Sequence, residues 1–223
     1  MRIRRKKHLE ERLKNASDIL IVPERDIVNV NIAVQNKKLY NFSELFGNDN
    51  PIDLEIGCGK GGFITQKASL VPNTNFVAVE MLENIIVMAC ELAKEKGLNN
   101  VRFINTGAEY LPRYIKENSI NNIYLNFSPP FPKIGSESHR LTSDRFILAY
   151  KSFLVKGGKI YQKTDDKEFF EYSYSKFVEH GFKVENITDK ILSGKVDNIK
   201  TEYEMMFEKL GISAYGLVAE KID

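Results

Sequence analysis

Two acidic side chains and a cluster of glycines in this sequence are spaced to hold a nucleoside that carries charge. Ile52-Asp53-Leu54-Glu55-Ile56 is a short apolar run that ends on Gly57-Cys58-Gly59-Lys60-Gly61-Gly62. Glycines at such a turn let the backbone approach a ligand, because a Cβ would fill the ligand's space or forbid positive φ. Further along, Val77-Ala78-Val79 ends on Glu80, a carboxylate able to accept the hydrogen bonds of both ribose hydroxyls. The glycine spacing has other readings: Gly57, Gly59 and Gly62 also satisfy the dinucleotide fingerprint, and a glycine turn can be purely structural. Glu55 shifts the balance. Its negative charge beside the glycines opposes a pyrophosphate and suits the cationic methionine end of S-adenosylmethionine. A chain of 223 residues is also short for a dinucleotide domain plus a substrate domain.

Four more segments carry chemistry. In Asn105-Thr106-Gly107-Ala108-Glu109, Asn105 either presents its amide to an adenine edge or serves as an ordinary turn residue. Asn126-Phe127-Ser128-Pro129-Pro130-Phe131-Pro132-Lys133 interleaves prolines with aromatics, a rigid loop with flat faces suited to a planar base. In Gln162-Lys163-Thr164-Asp165 the terminal acid can accept protons from the edge of a base. Equally, Asp165 and Asp166 can cap the helix that follows. Thr201-Glu202-Tyr203-Glu204 reads locally as an N-cap followed by an acidic first turn. At the start, Arg2, Arg4, Arg5, Lys6 and Lys7 form a basic arm that can neutralise phosphates and release counterions, or can simply be solvated.

These groups need a scaffold that places strand ends. Strands are expected at 52–56, 75–80, 101–105, 122–127, 158–164, 182–188 and 213–220. Helices are expected at Leu9 to Leu13, 61–70, 82–96, 108–116, 143–155, 167–180 and 202–209. The alternation predicts an α/β fold, a doubly wound, mostly parallel seven-stranded sheet covered on both faces. Ligands of such sheets bind beyond the carboxyl ends of the strands. Lys96-Gly97, Lys156-Gly157 and His180-Gly181 each read as a helix stop. The connection 189–201 is long enough to suggest function, and residues 16–50 have no clear pattern.

Composition sets the limits. With 43% hydrophobic and 28% charged residues and a net charge of +2, the chain reads as an ordinary globular protein with unevenly placed charge. No apolar run approaches the roughly 18 residues of a membrane span, and no apolar stretch follows the basic start as in a signal peptide. Two cysteines, Cys58 and Cys90, make neither a disulfide framework nor a zinc site. A reducing, cytoplasmic setting is the expectation, with no metal.

In this order the segments resemble the bacterial tRNA (guanine-N7-)-methyltransferase family. The pieces are Met1-Arg2-Ile3-Arg4, Leu54-Glu55-Ile56-Gly57, Tyr124-Leu125-Asn126-Phe127-Ser128 with Pro130 and Pro132-Lys133, Arg140-Leu141-Thr142, Lys163-Thr164-Asp165 and Thr201-Glu202-Tyr203-Glu204. The resemblance spans nearly the whole chain and implies a methyltransferase domain over 51–223, with 1–50 as a basic arm and short helical extension. It implies S-adenosylmethionine contacts at Glu55, Gly57, Gly59, Gly61, Glu80, Met81, Asn105, Thr106, Gly107, Asn126 and Pro129. Lys133 and Asp165 are the implied catalytic residues and, with Thr201, Glu202, Tyr203 and Glu204, contact the guanine. Arg2, Arg4, Arg5, Lys6, Lys7, His139 and Arg140 are implied on the RNA backbone. The implied product is N7-methylguanosine in the variable loop of tRNA, made by a monomer or homodimer with no membrane partner.

The chain also departs from the family pattern. Pro129 stands where the family has an aspartate, Phe131 where it has tryptophan, and Gly107 where an aspartate is usual. Ile134-Gly135-Ser136-Glu137-Ser138-His139 replaces a strongly basic run. Guanine N7 is unprotonated at neutral pH, so transfer needs alignment more than a base, and Asp165, Glu202 or Glu204 can take over the guanine contact. Two rival readings follow from the departures. Ser128-Pro129-Pro130-Phe131 looks like the signature of amino-methyltransferases, whose target is an amine. Alternatively, the chain is a catalytically impaired tRNA-binding paralogue.

Overall fold

Leu9 begins α1 (Leu9–Asn15), and the chain then alternates strand and helix much as the periodicity predicts. The computed structural model describes residues 6–24, 29–133, 135–188, 199, 204, 206 and 214–223. Two compact units divide the chain, Met1–Ile115 and Lys116–Asp223.

In the first unit α1 is followed by β1 (Leu20–Ile21), α2 (Val30–Ala33), α3 (Phe42–Phe46), β2 (Ile52–Ile56), α4 (Gly62–Leu70), β3 (Asn75–Val79), α5 (Glu83–Glu95), β4 (Val101–Ile104) and, after a 3-10 turn at Ala108–Tyr110, α6 (Leu111–Tyr114). Its strands lie in the order β1-β4-β3-β2, all parallel. Every residue of β2 and β3 is buried, the mark of parallel strands covered on both faces rather than one. On one face Ile64 and Ala68 of α4 and Ile86, Ala89, Cys90 and Ala93 of α5 pack with Phe76, Ala78 and Phe103 of the strands. Register then decides the function of this unit. Ile56 pairs with Val79 and Val79 with Ile104, so the residues that follow these strands emerge along one edge. Helix α1 is tied to α5 by a fork from Arg12 to Glu91 (2.6 Å to each oxygen) and by Lys94 Nζ, which donates to the Asn15 carbonyl (2.8 Å) and, just beyond the helix, to Asp18 (2.8 Å).

The second unit runs β5 (Ile120–Asn126), a 3-10 turn at Glu137–His139, α7 (Asp144–Phe153), β6 (Leu154–Thr164), α8 (Lys167–Glu179), β7 (Phe182–Asn186) and β8 (Tyr215–Lys221). Its strand order is β5-β6-β8-β7, with β5 and β6 parallel and β8 antiparallel to both neighbours. The apolar faces of α7 (Phe146, Ile147, Tyr150, Phe153) and α8 (Phe169, Phe177) are buried with Ile160, Leu217 and Ala219.

The described residues thus hold eight strands rather than seven. The addition is β1, whose two residues are too few to show a period. Lys96-Gly97 and His180-Gly181 do end helices, with glycine φ of 64° and 77°. Lys156-Gly157 does not. Helix α7 stops at Phe153 and passes directly into β6, where Gly157 and Gly158 accommodate a register shift against β5. A Cβ on Gly158 would lie 2.8 Å from the Asn121 carbonyl oxygen. The expected helix at 202–209, apart from Glu204 and Met206, and nearly all of the connection 189–201 fall outside the described residues. Among the described residues no helix is long and apolar enough to cross a membrane.

Candidate active site

Strand β2 delivers Glu55, 2% exposed, and then the glycine turn. Backbone bonds shape that turn: the Gly57 and Cys58 N–H groups both donate to the Val79 carbonyl (2.8 and 3.0 Å), and the Gly61 N–H to the Cys58 carbonyl (2.9 Å). Gly57, Gly59 and Gly61 take φ of 80°, 55° and 81°, a region costly for residues with a Cβ. Beyond φ their reasons differ. A Cβ on Gly61 would lie 2.8 Å from Ala89 Cβ and 3.0 Å from Ala89 Cα, so this glycine lets α4 approach α5. A Cβ on Gly57 or Gly59 would meet nothing within 4 Å. Those two glycines keep space open.

Strand β3 ends on Glu80, whose Oε1 accepts the Leu82 N–H at 2.9 Å. That bond fixes the carboxylate at the entry to α5. Met81 (62% exposed) and Leu82 (40%) leave apolar surface beside it. Asn105, at the end of β4, donates from Nδ2 to the Glu80 carbonyl (2.9 Å). Its amide nitrogen therefore clamps the ends of β3 and β4 together. The electrostatics are legible at Cys58: burial raises its thiol pKa well above the ordinary value, and the negative charges of Glu55 and Glu80 raise it further. A turn with that field favours a cation and disfavours a pyrophosphate. The residues of this unit fit S-adenosylmethionine on three grounds: open space over two glycines, negative potential beside them, and a fixed carboxylate at the next strand end.

In the second unit the chain leaves β5 with Phe127 at φ 51° and turns again at Phe131, φ 44°. Both values are outliers for aromatic residues and cluster where a loop is over-determined by its surroundings. Arg140 supplies much of that determination. Its Nε donates to the Pro130 carbonyl (2.8 Å) and its Nη2 to the Phe131 carbonyl (3.3 Å), while its guanidinium lies 4.3 Å from the centroid of Tyr172. Arg140, assigned to the RNA backbone from sequence, braces the proline loop through these contacts. Thr142 of the same motif is fully buried and shares a hydrogen bond with Ser173 (2.8 Å), which in turn accepts from Gln162 of β6 (2.9 Å). Pro129, Lys133 and His139 are exposed, and the His139 ring lies 5.7 Å from that of Phe131. Asn126 is half-buried and registers with Lys163.

At the end of β6 the two aspartates divide their work. Asp166 is the N-cap of α8, accepting the Phe169 N–H at 2.8 Å, and Asp165 is exposed. Glu204, 3% exposed, accepts from Lys163 Nζ at 3.0 Å, and the same ammonium donates to the Ile199 carbonyl at 3.1 Å. The Lys163-Thr164-Asp165 and Thr201-Glu202-Tyr203-Glu204 motifs are thereby linked by a buried ion pair, which neither segment alone discloses. Thr201, Glu202, Tyr203, Arg2, Arg4 and Arg5 lie outside the described residues. Lys6 and Lys7 are exposed, and the Lys6 backbone N–H donates to Asn84 Oδ1 (2.9 Å), which anchors the root of the arm on α5.

Parallel strands that end on a glycine turn and an acidic strand end in the first unit, with an antiparallel last strand in the second, define a class I, S-adenosylmethionine-dependent methyltransferase fold. The solved 16S rRNA methyltransferase KamB has this fold, with a TM-score of 0.61 over 84% of this chain and 96% of that one at 14% identity. Residues 49–217 match the family described as "Putative methyltransferase". The chain is 40% identical over 192 residues to the tRNA (guanine-N(7)-)-methyltransferase of Clostridium tetani, covering 85% of this chain and 91% of that one. It is 35% identical to that of Streptococcus thermophilus over 222 residues, 99% of each chain. The protein belongs to the tRNA (guanine-N7-)-methyltransferase family.

Proposed function

We propose that the protein methylates N7 of a guanosine in the variable loop of tRNA, using S-adenosylmethionine as donor. The observation that carries this reading is the negatively charged, open glycine turn, where Glu55 and Glu80 lie close enough to raise the Cys58 thiol. When bound, S-adenosylmethionine supplies an electrophilic methyl group on a cationic sulfonium. Glu55 complements that charge, Gly57 and Gly59 admit the ligand, Glu80 takes the ribose hydroxyls, and Met81 offers apolar surface to the ring. Gly61 acts through the packing of α4 on α5. Thr106 and Gly107 border the adenine, and Asn126 and Pro129 are assigned to the donor on the family resemblance alone.

Guanine N7 has a free lone pair at neutral pH, so no residue must remove a proton. The protein's task is alignment, which proximity and orientation supply. Asp165, exposed because Asp166 takes the capping role, accepts from N1–H and the exocyclic amine of the guanine, as pockets for extruded bases do. Lys133 adds positive charge for the nucleotide's phosphate, and the arm with Lys6 and Lys7 contacts the tRNA backbone.

One observation favours a second reading. Ser128 Oγ is buried with no hydrogen-bond partner among the described residues, and a polar group of that kind before two prolines suits an amine substrate. The deciding experiment is transfer of a labelled methyl group to an unmodified tRNA transcript, with product nucleosides identified, beside a transcript whose variable-loop guanosine is adenosine. N7-methylguanosine that disappears with the replacement supports the proposal. A methylated amine supports the second reading. No transfer by a protein that still binds the donor leaves a tRNA-binding paralogue.

A further inference from the structure

Gly107 is extended, with φ −76° and ψ 149°, so its lack of a side chain is not explained by backbone strain. Space explains it. A Cβ built on Gly107 would lie 2.5 Å from Glu109 Oε2 and 2.7 Å from both Oε1 and Cδ. The Glu109 carboxylate is folded back, across the 3-10 turn at Ala108–Tyr110, into the volume that a side chain at 107 would fill. Among the described residues no side chain pairs with it. It stands at the carboxyl end of β4, two strands from the open glycine turn and next to the strand that carries Glu80.

We infer that Glu109 is the adenine-reading residue of this protein, accepting a hydrogen bond from the 6-amino group of the donor, and that Gly107 is the vacancy that admits it. The inference rests on the cofactor reading above. An exocyclic amine needs an acceptor, and two side chains after β4 offer one: Asn105, through Oδ1 of an amide whose nitrogen is held by the Glu80 carbonyl, and Glu109. A carboxylate is the stronger acceptor for an N–H donor. From position 109 a carboxylate thus occupies the volume that a side chain at 107 would fill.

The test is calorimetric binding of S-adenosylhomocysteine and of S-inosylhomocysteine, which carries a 6-oxo group in place of the amine. Wild type prefers the adenosine ligand by about tenfold to a hundredfold, the range of one hydrogen bond to a charged group. Glu109→Ala weakens the adenosine ligand by that factor, leaves the inosine ligand nearly unchanged and so abolishes the preference. Glu109→Gln flattens the ratio with the side-chain volume kept, since an amide can accept from the amine or donate to the oxo group. The double variant Gly107→Asp/Glu109→Ala, which returns a carboxylate to the vacated volume, restores the preference. A wild-type ratio retained in Glu109→Ala, or no preference in wild type, overturns the inference while leaving the cofactor reading intact. Binding of neither ligand by wild type removes the cofactor reading, and this inference with it.

Discussion

Gly61 and Gly57 share a positive φ (81° and 80°) and differ in what a methyl group would meet, which makes alanine at each position a paired test of packing against ligand access. For Gly61→Ala two penalties add. Placing a Cβ at φ 81°, ψ 12° costs roughly 1–2 kcal/mol in the left-handed region. The new Cβ also stands 2.8 Å from Ala89 Cβ and 3.0 Å from Ala89 Cα, atoms of a buried helix that cannot swing aside, and overpacking of this kind costs roughly 1–3 kcal/mol. The expected loss is about 2–5 kcal/mol, and Ala89→Gly in the same chain should return part of it by removing the nearer contact. For Gly57→Ala only the first penalty applies, roughly 1–2 kcal/mol, because nothing lies within 4 Å of the added carbon. That carbon enters the space assigned to the donor, so affinity for S-adenosylhomocysteine should fall at least about tenfold, or 1.4 kcal/mol. Urea unfolding and calorimetric titration of both variants measure the two quantities separately. Equal losses of stability, or normal binding in Gly57→Ala, would refute the division of labour between the glycines.

Three further outcomes follow from buried polar contacts. Arg140→Ala should cost about 2 kcal/mol, since two loop carbonyls lose a charged donor, and should speed proteolysis near Phe131. Arg140→Lys, with no fork, should recover little, whereas unchanged stability would refute the bracing role. Lys163→Met removes the ammonium that faces the buried Glu204 carboxylate and should cost about 3–5 kcal/mol, most of it recovered by adding Glu204→Leu; urea midpoints of the single and double variants decide this. Burial, followed by the charges of Glu91 and Asp18, pushes the Cys90 thiol from 9.0 to about 12. Because the folded pKa is raised, the stabilisation is complete below pH 9, the unfolded value, and is lost as pH rises through the folded one. Wild type should therefore lose more stability than Cys90→Ala between pH 9 and 11, and equal losses would remove the thiol from the alkaline transition.

Long periodic elements were the readable part of this sequence. The observed β2, β3, β4, β5 and β7 begin or end within a few residues of the expected runs, because continuous apolar strands between helical repeats leave little choice of fold. What escaped was short or non-local. Strand β1 has two residues, and α2 and α3 are marked only by their caps, Asn29 and Asn41, whose side chains accept from Asn31 N and Glu44 N. For α3 the sequence does carry a start and a stop: Asn41 as N-cap, Glu44 at the third position and Gly47 at the end. Lys156-Gly157 misled because a cation before glycine describes a helix stop and equally an irregular strand. In the site, residue type identified the glycines and acids, but Lys163 with Glu204, Arg140 with the Pro130 carbonyl and Glu109 over Gly107 are relations across space that spacing along the chain does not encode.

The departure at Pro129 is best weighed through the loop it belongs to. A carboxylate in that loop can do two things for a guanine, fix its edge or hold the backbone in shape, and N7 transfer needs no proton removed by either. Here the shape is held by other means. Two consecutive prolines fix φ near −65°, the flanking Phe127 and Phe131 are kept at positive φ, and the Arg140 fork closes on the carbonyls of Pro130 and Phe131. Arg140 is itself stacked on Tyr172 of α8, the helix that Asp166 caps at its first turn. One helix thus braces the proline loop and begins beside Asp165, the acid proposed to read the guanine edge. With proline at 129 the loop keeps these supports, and the proposed N7 transfer asks of it orientation rather than acid–base chemistry.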